Sequence, residues 1–214
     1  MADTTAEVAA HTDASPHPLP EQAAFVFTHA LQGNMPLILI DTDTYHHMGA
    51  AGMFTDKRVE LVGGTLLDMQ PISREHAYAT LSLSRRLGAC LGEKGVVNTQ
   101  NPLSINGNSE PLPDVFILKP PLEQYRQRLP HADDVLLIIE VAQSSLQTDR
   151  TVKLELYARA NIPEYWVVNL VDGQLETHRQ PDPKRGQYLE TTIHYSDEKV
   201  APNAFPDCQL AWFD

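Results

Sequence analysis

Apolar and polar positions alternate along this chain in rhythms that separate its strands from its helices. Val135–Ala142 (VLLIIEVA) is apolar at nearly every position, as expected of a central strand covered by helices on both faces. YWVVNL, beginning at Tyr165, reads as a second buried strand. The turn pair Asp172-Gly173 then sends the chain back into QLETHRQ. VELVGGTLLDM holds two short apolar runs joined at Gly63-Gly64, the pattern of a β-hairpin. VVNTQNPLSI and PDVFILK are strand-like and flank the tight-turn pair Asn106-Gly107, and an edge strand is expected near Tyr188–His194.

Helical spacing appears in three places. Asp43 or Thr44 is placed to cap a short helix that Gly52 ends. Ser73 caps a longer one, whose apolar or small positions Ala77, Leu81, Ser84, Leu87 and Leu91 follow steps of three and four, with Gly95 as its stop. A third helix runs from about Asp149 to Ala160 and ends at Asn161 and Pro163, and a short one is expected around Leu122–Arg128. Hairpins mixed with crossovers predict an α/β (α+β) fold, a central mixed β-sheet flanked by helices. Residues 1–20 are polar, Pro-containing and without period, so they read as a disordered tail before a single domain over 21–214.

Composition narrows the class. The 214 residues suit one well-packed core, and no apolar run approaches the length of a membrane span. The start lacks the basic and apolar segments of a secretory signal. Cys90 and Cys208 lie far apart in no metal-binding spacing, and Cys90 falls in a helical apolar pattern where a buried thiol is expected. A cytoplasmic protein without disulfides follows. The net charge of −12 argues against nucleic-acid binding. It is unevenly spread, however: the chain before Lys57 holds seven acids and no Lys or Arg, leaving 21 acids against all 16 bases.

Glu140 is the anomaly within this pattern. A carboxylate inside LLIIEVA costs several kcal/mol to desolvate unless a cation, a proton or a metal ion compensates it. Asp114 raises the same question at the start of the apolar strand VFIL. If the two strands are neighbours, their carboxylates converge, and a divalent cation is the usual remedy for such repulsion. Lys153, on the helix after the Glu140 strand, can aim its amine at the same point. Asp149, one helical turn earlier, shares its face. Glu60, inside VEL, is a further acid placed where burial is possible. Acids and a lysine drawn from separate elements suit phosphodiester hydrolysis, in which a metal activates water and the lysine orients it or stabilises developing charge.

RVELVGGTLLDMQPISREHAYA, SEPLPDVFILKP, LLIIEVAQSSLQTDRTVKLELYARANIPEYWVVN and VAPNAFPD together resemble the Uma-type restriction endonuclease family of the PD-(D/E)XK nuclease superfamily. The resemblance runs from about Tyr45 to the C-terminus. It implies a restriction endonuclease-like core and Mg²⁺ or Mn²⁺ held by Asp114 and Glu140. It also implies that Glu60 assists metal or water. The superfamily lysine normally lies two residues beyond the acid, where this chain has Ala142; the resemblance points to Lys153 on the next helix instead. Gln143 stands where related sequences often carry an acid, Asn161 where Gly is usual, and Asn169 where Asp is common.

Plainer readings exist for each residue. Glu140 with Lys153 could be a structural ion pair, Asp114 a turn residue, and Glu60 a paired surface acid. His76 could face the site or merely cap its helix, and His46-His47 lacks the spacing useful for zinc. Tyr157, Tyr165 and Trp166 are expected in the core. Arg126, Arg128, Arg150 and Arg159 are phosphate-contact candidates better explained as solvated surface. The leading expectation is a Mg²⁺-dependent endonuclease acting on DNA, with a homodimer for double-strand cleavage. The alternatives are a catalytically silent nuclease-fold module for nucleic-acid or protein interaction, and hydrolysis of another phosphate ester.

Overall fold

Asp41 opens the first helix of the computed structural model, which describes residues 37–212. Its extended backbone and its carboxylate, which accepts from the Thr44 N–H at 2.8 Å, cap α1 (Thr42–Ala50). The cap therefore lies two residues before Asp43 and three before Thr44. The tail expected over residues 1–20 lies outside the described residues. The hairpin of β1 (Val59–Val62) and β2 (Thr65–Asp68) turns on Gly63 and Gly64, both at positive φ. A Cβ on Gly64 would lie 2.6 Å from Leu39 Cβ, so the turn needs glycine for space as well as conformation.

Ser73 caps α2 (Arg74–Leu91) through the His76 N–H at 3.1 Å. The buried side of α2 is His76, Thr80, Leu83, Leu87 and Leu91, one position out of step with the stripe expected from Ala77 and Leu81 at its start. Leu81 is 68% exposed. Both stripes satisfy helical spacing; the sheet beneath, which offers Asp114 to His76, selects the observed one. The helix stops at Gly92 (φ 53), not at Gly95, whose backbone is extended and closely packed by Ile117 and Phe205.

Strands β3 (Val96–Asn98), β4 (Val115–Leu118), β5 (Val135–Ala142), β6 (Glu164–Asn169), β7 (Gln174–Asp182) and β8 (Gln187–His194) form one sheet in that order. Only β5 and β6 are parallel; the other neighbours are antiparallel. The crossover between β5 and β6 carries α3 (Leu146–Thr148), a π-helical turn over Asp149–Lys153, and α4 (Leu154–Arg159). Asn161 follows with φ 57, the left-handed end that Asn tolerates. This mixed sheet with helices on its faces is the architecture expected from the sequence. The segment VVNTQNPLSI is strand only at its start.

Alternation along the strands divides the core in two. Val115, Ile117, Leu137, Ile139, Val141, Trp166 and Val168 meet α2 on one face. Phe116, Leu118, Ile138, Ala142, Tyr165 and Val167 meet Tyr157 and Ala158 of α4 on the other. The C-terminal segment, with β9 (Lys199–Val200) and β10 (Leu210–Ala211), packs Val200, Cys208 and Trp212 onto the α2 face. That packing joins Cys90 to Cys208 in a disulfide with a Cα–Cα distance of 5.8 Å, and Cys90 is exposed. The expectation of two separate thiols, one buried, is thereby corrected. The two cysteines are 118 residues apart, so only packing on a shared face could bring them together. Among the described residues no helix is long and apolar enough to cross a membrane.

Candidate active site

The pairing of β4 with β5 builds the site. Val115 faces Ile139, and carrying that register back one step sets Asp114 beside Glu140. Both then fall on the α4 face of the sheet, because their neighbours Phe116, Ile138 and Ala142 do. The contacts bear this out. The Asp114 N–H donates to Glu140 Oε2 at 3.3 Å, and Asp114 Oδ2 accepts from the Val141 N–H at 2.9 Å.

Each carboxylate has its own set of donors. Asp114 Oδ2 also meets His76 Nε2 of α2 at 3.0 Å, and Oδ1 accepts from Gln100 Nε2 at 3.1 Å. Burial works to raise the Asp114 pKa, but His76, Val141 and Gln100 outweigh it and hold the carboxyl below its ordinary value. Glu140 Oε1 accepts from Lys153 Nζ at 3.0 Å and from the Tyr157 hydroxyl at 2.8 Å. Burial, opposed by Lys153 and reinforced by the charges of Asp114, Asp149 and Glu60, still pushes the Glu140 pKa well up. These two carboxylates therefore differ: one is stabilised as an anion, the other is short of positive charge.

Lys153 is shared. Its Nζ lies 3.5 Å from Glu60 Oε1 and 4.0 Å from Asp149 Oδ1 as well as against Glu140. Burial alone would lower its pKa; the three carboxylates outweigh burial and raise it, so Lys153 is an ammonium. Glu60 Oε2 accepts from the Leu112 N–H at 3.2 Å. The π-helical turn widens the backbone where Asp149 and Lys153 project, and single turns of this kind recur at functional sites.

Glu60, Asp114, Glu140 and Lys153, drawn from β1, the approach to β4, β5 and the crossover, thus line one cavity of about 460 Å³. Asp149, His76, Gln100 and Gln143 line it too, with Leu67, Met69 and Ile72 among its apolar members. Gln143 Oε1 accepts from Ser73 Oγ at 2.6 Å. Tyr157, expected only in the core, touches Glu140 directly. Gln100 carried no sequence signal. His76 is the contact to Asp114 rather than a solvated cap; its place on a helix opening at Ser73 was the only hint. Tyr165 and Trp166 are core residues as expected. Arg128, Arg150 and Arg159 are committed to Asp134, Glu176 and Glu155. His46 pairs with Glu110 at 2.9 Å.

A hard divalent cation can be tested against these side chains. Among the described residues no group of three or more His, Cys, Asp or Glu side chains is arranged to hold a metal ion. Glu60 is drawn toward Lys153 and the Leu112 N–H rather than completing a triad with Asp114 and Glu140. Two carboxylates are nevertheless the donor set suited to Mg²⁺, which keeps several waters and takes further oxygens from a phosphate substrate. Glu140 Oε2 has only one long hydrogen bond, and the surplus of negative charge around it is what a cation relieves. The residues fit.

Comparison with known proteins bears on the same region. The family model described as "Uma2: Putative restriction endonuclease" matches residues 42–212. A crystal structure of a "putative nuclease belonging to DUF820" from Anabaena variabilis superposes with a TM-score of 0.60. It is 13% identical, and the match covers 73% of this chain and 88% of that one, a likeness of fold. No curated protein matches. With the family match spanning β1 through β10, the chain belongs to the Uma2 family of putative restriction endonucleases.

Proposed function

We propose that the chain is a metal-dependent endonuclease that hydrolyses DNA phosphodiester bonds in the cavity floored by Asp114 and Glu140. The observation that supports this best is the joined pair itself. The backbone N–H of buried Asp114, just ahead of β4, donates to the buried Glu140 carboxylate on β5, and a buried ammonium stands 3.0 Å from that carboxylate. In a family of putative restriction endonucleases, that arrangement supports the reading of a phosphodiester site.

Asp114 and Glu140 would hold Mg²⁺ or Mn²⁺, with Glu60 assisting from the Lys153 side. Bound there, such an ion lowers the pKa of a water and polarises a phosphoryl oxygen. The chain's own groups do the rest. His76, Gln100 and the Val141 N–H fix Asp114, while Lys153 and Tyr157 fix Glu140 Oε1. The Lys153 ammonium donates to the attacking water or to a non-bridging phosphate oxygen and stabilises the charge that develops. Leu67, Met69 and Ile72 give the same cavity an apolar wall.

Double-strand cleavage needs two such sites, so a homodimer belongs to this reading. A cytoplasmic location also belongs to this reading. The test is cleavage of plasmid and oligonucleotide DNA with Mg²⁺, Mn²⁺ or chelator. Metal-dependent cleavage, lost in Asp114→Ala and in Glu140→Ala while circular dichroism stays native, is the expected result. No cleavage by the unaltered chain on varied DNA would overturn the reading and favour an interaction module. Hydrolysis of small phosphodiesters alone would move the substrate to another phosphate ester.

A further inference from the structure

Asp149 differs from the other acids of the cavity in what its two oxygens touch. Oδ2 accepts from Ser145 Oγ at 2.6 Å. Oδ1 has no hydrogen-bond partner, although the residue is only 1% exposed and lines the cavity. A buried carboxylate oxygen without a donor is costly, and such groups call for an explanation. The explanation is not a poor fold nearby, since the Asp149 carbonyl accepts from the buried Tyr165 hydroxyl at 3.1 Å. The oxygen is left without a hydrogen-bond donor beside Lys153 Nζ, at 4.0 Å, on the same π-helical turn.

Hydrolysis by water requires a group that takes the water's proton, and the lysine and the other buried acids of the cavity are committed. Lys153 is an ammonium and has no lone pair to offer. Asp114 already accepts from Val141, Gln100 and His76. Glu140 accepts from Lys153, Tyr157 and Asp114 and is a candidate ion ligand. Glu60 is held by Lys153 and the Leu112 N–H. His76 Nδ1 is also without a partner, but the His76 ring is tied to Asp114, whereas the charged neighbours of Lys153 are Glu140, Glu60 and Asp149.

We propose that Asp149 Oδ1 is the general base of this site, accepting the proton of the water that attacks phosphorus; this rests on the hydrolytic reading above. One O–H bond of the water breaks as its oxygen bonds to phosphorus, and the proton passes to Oδ1. The P–O bond to the leaving oxygen then breaks, and that oxygen takes a proton from solvent. The charged groups facing Asp149 are Lys153 from its own turn, Glu140 from β5, Glu60 from β1 and Asp114 ahead of β4. Burial lifts the Asp149 pKa to about 6, against the pull of Lys153 and Ser145 and with the push of Asp114 and Glu60. A carboxylate so placed is ionised at neutral pH yet more basic than an ordinary aspartate, as a base at this task needs to be.

The test is the pH dependence of kcat/KM for DNA cleavage with Mg²⁺, for the unaltered chain and for Asp149→Asn, Ser145→Ala and His76→Gln. Thermal unfolding of each ion-free protein from pH 4 to pH 9 accompanies it. The unaltered chain is expected to lose rate on the acid side of an inflection near pH 6. Asp149→Asn is expected to lose about a hundredfold or more at pH 8, to lack that inflection, and to melt higher than the unaltered chain at pH 8. Ser145→Ala removes a hydrogen bond that favours the anion, so its inflection moves to higher pH. Equal cleavage by Asp149→Asn, an inflection unmoved in Ser145→Ala, or an inflection lost only in His76→Gln each overturns the proposal and leaves the nuclease reading intact. An unaltered chain that cleaves nothing overturns both.

Discussion

The backbone N–H of Asp114 donates to Glu140 Oε2 at 3.3 Å, while the carboxylate of Asp114 accepts from the N–H of the residue after Glu140. The two acids are thereby locked across one strand pair, and neither can shift without breaking a main-chain contact of the other. This lock is rigid in the way a site built on strands is, and it fixes the two carboxylates relative to each other.

Removing the ammonium should expose the electrostatic debt of the cluster. Lys153→Ala leaves Glu140, Glu60 and Asp149 without their shared cation, and breaking a buried pair in this way costs about 3–5 kcal/mol. The loss is expected to be largest at pH 8 and smaller at pH 5, where protonation of Glu140 and Asp149 substitutes for the missing charge. Urea unfolding at the two pH values checks it; equal losses at both would contradict this account.

Tyr157 offers a gentler perturbation of the same carboxylate. Its hydroxyl donates to Glu140 Oε1 at 2.8 Å from inside the core. Tyr157→Phe keeps the ring and deletes one donor, so about 1–2 kcal/mol of stability is expected to go. Cleavage should fall about 10- to 100-fold through a less well fixed Glu140, as for other groups that orient ligands. Calorimetric titration with Mn²⁺ alongside the cleavage assay distinguishes weaker ion binding from a damaged fold.

His178 predicts a contribution to acid sensitivity away from the site. Burial pushes its pKa down to about 4, with Glu176 opposing and Arg150 reinforcing. Nε2 has no hydrogen-bond partner, and the ring stacks on Tyr165 at 5.6 Å. The unfolded chain therefore binds a proton below about pH 6.5 that the folded chain refuses until about pH 4. Stability from this residue is complete above pH 6.5 and is lost as pH falls toward 4, by about 3 kcal/mol at most. Asp149, whose pKa is raised, contributes the opposite slope between its ordinary value and about pH 6, so the two partly offset each other. His178→Phe should make the protein less sensitive to acid, measured as a flatter dependence of melting temperature on pH from 4 to 6.5.

The Cys90–Cys208 bridge closes a loop of 118 residues around most of the fold. Such a cross-link restricts the unfolded chain and is expected to stabilise the protein by about 2–4 kcal/mol. Cys90→Ser and reduction of the unaltered chain should lower the melting temperature by the same amount. Peptide mapping without reduction should recover the linked pair; two free thiols in protein purified under oxidising conditions would contradict it.

What the sequence determined by itself was local. A run such as VLLIIEVA has to be buried on both faces, and a carboxylate within it demands compensation wherever the strand lies. Gly63-Gly64 and Asn106-Gly107 had to turn because few other residues adopt positive φ, and the structure turns at both. Glu140 was therefore legible as an anomaly; the same pattern offered Asp114, Lys153 and Glu60 around it, and family resemblance supported them.

Tertiary structure alone decided which groups meet. The face that α2 buries was ambiguous, because stripes starting at Ala77 and at His76 both obey helical spacing, and only the sheet chose His76. Gln100 and Tyr157 lie 14 and 17 residues from the carboxylates they touch, at separations that carry no periodic signal. The cysteines met for the same reason, across 118 residues. The open oxygen of Asp149 depends on a π-helical turn that its residue types do not announce. Periodicity fixes which side of an element is buried when one stripe stands out; what that side touches is set by packing between elements, and packing is where this site was assembled.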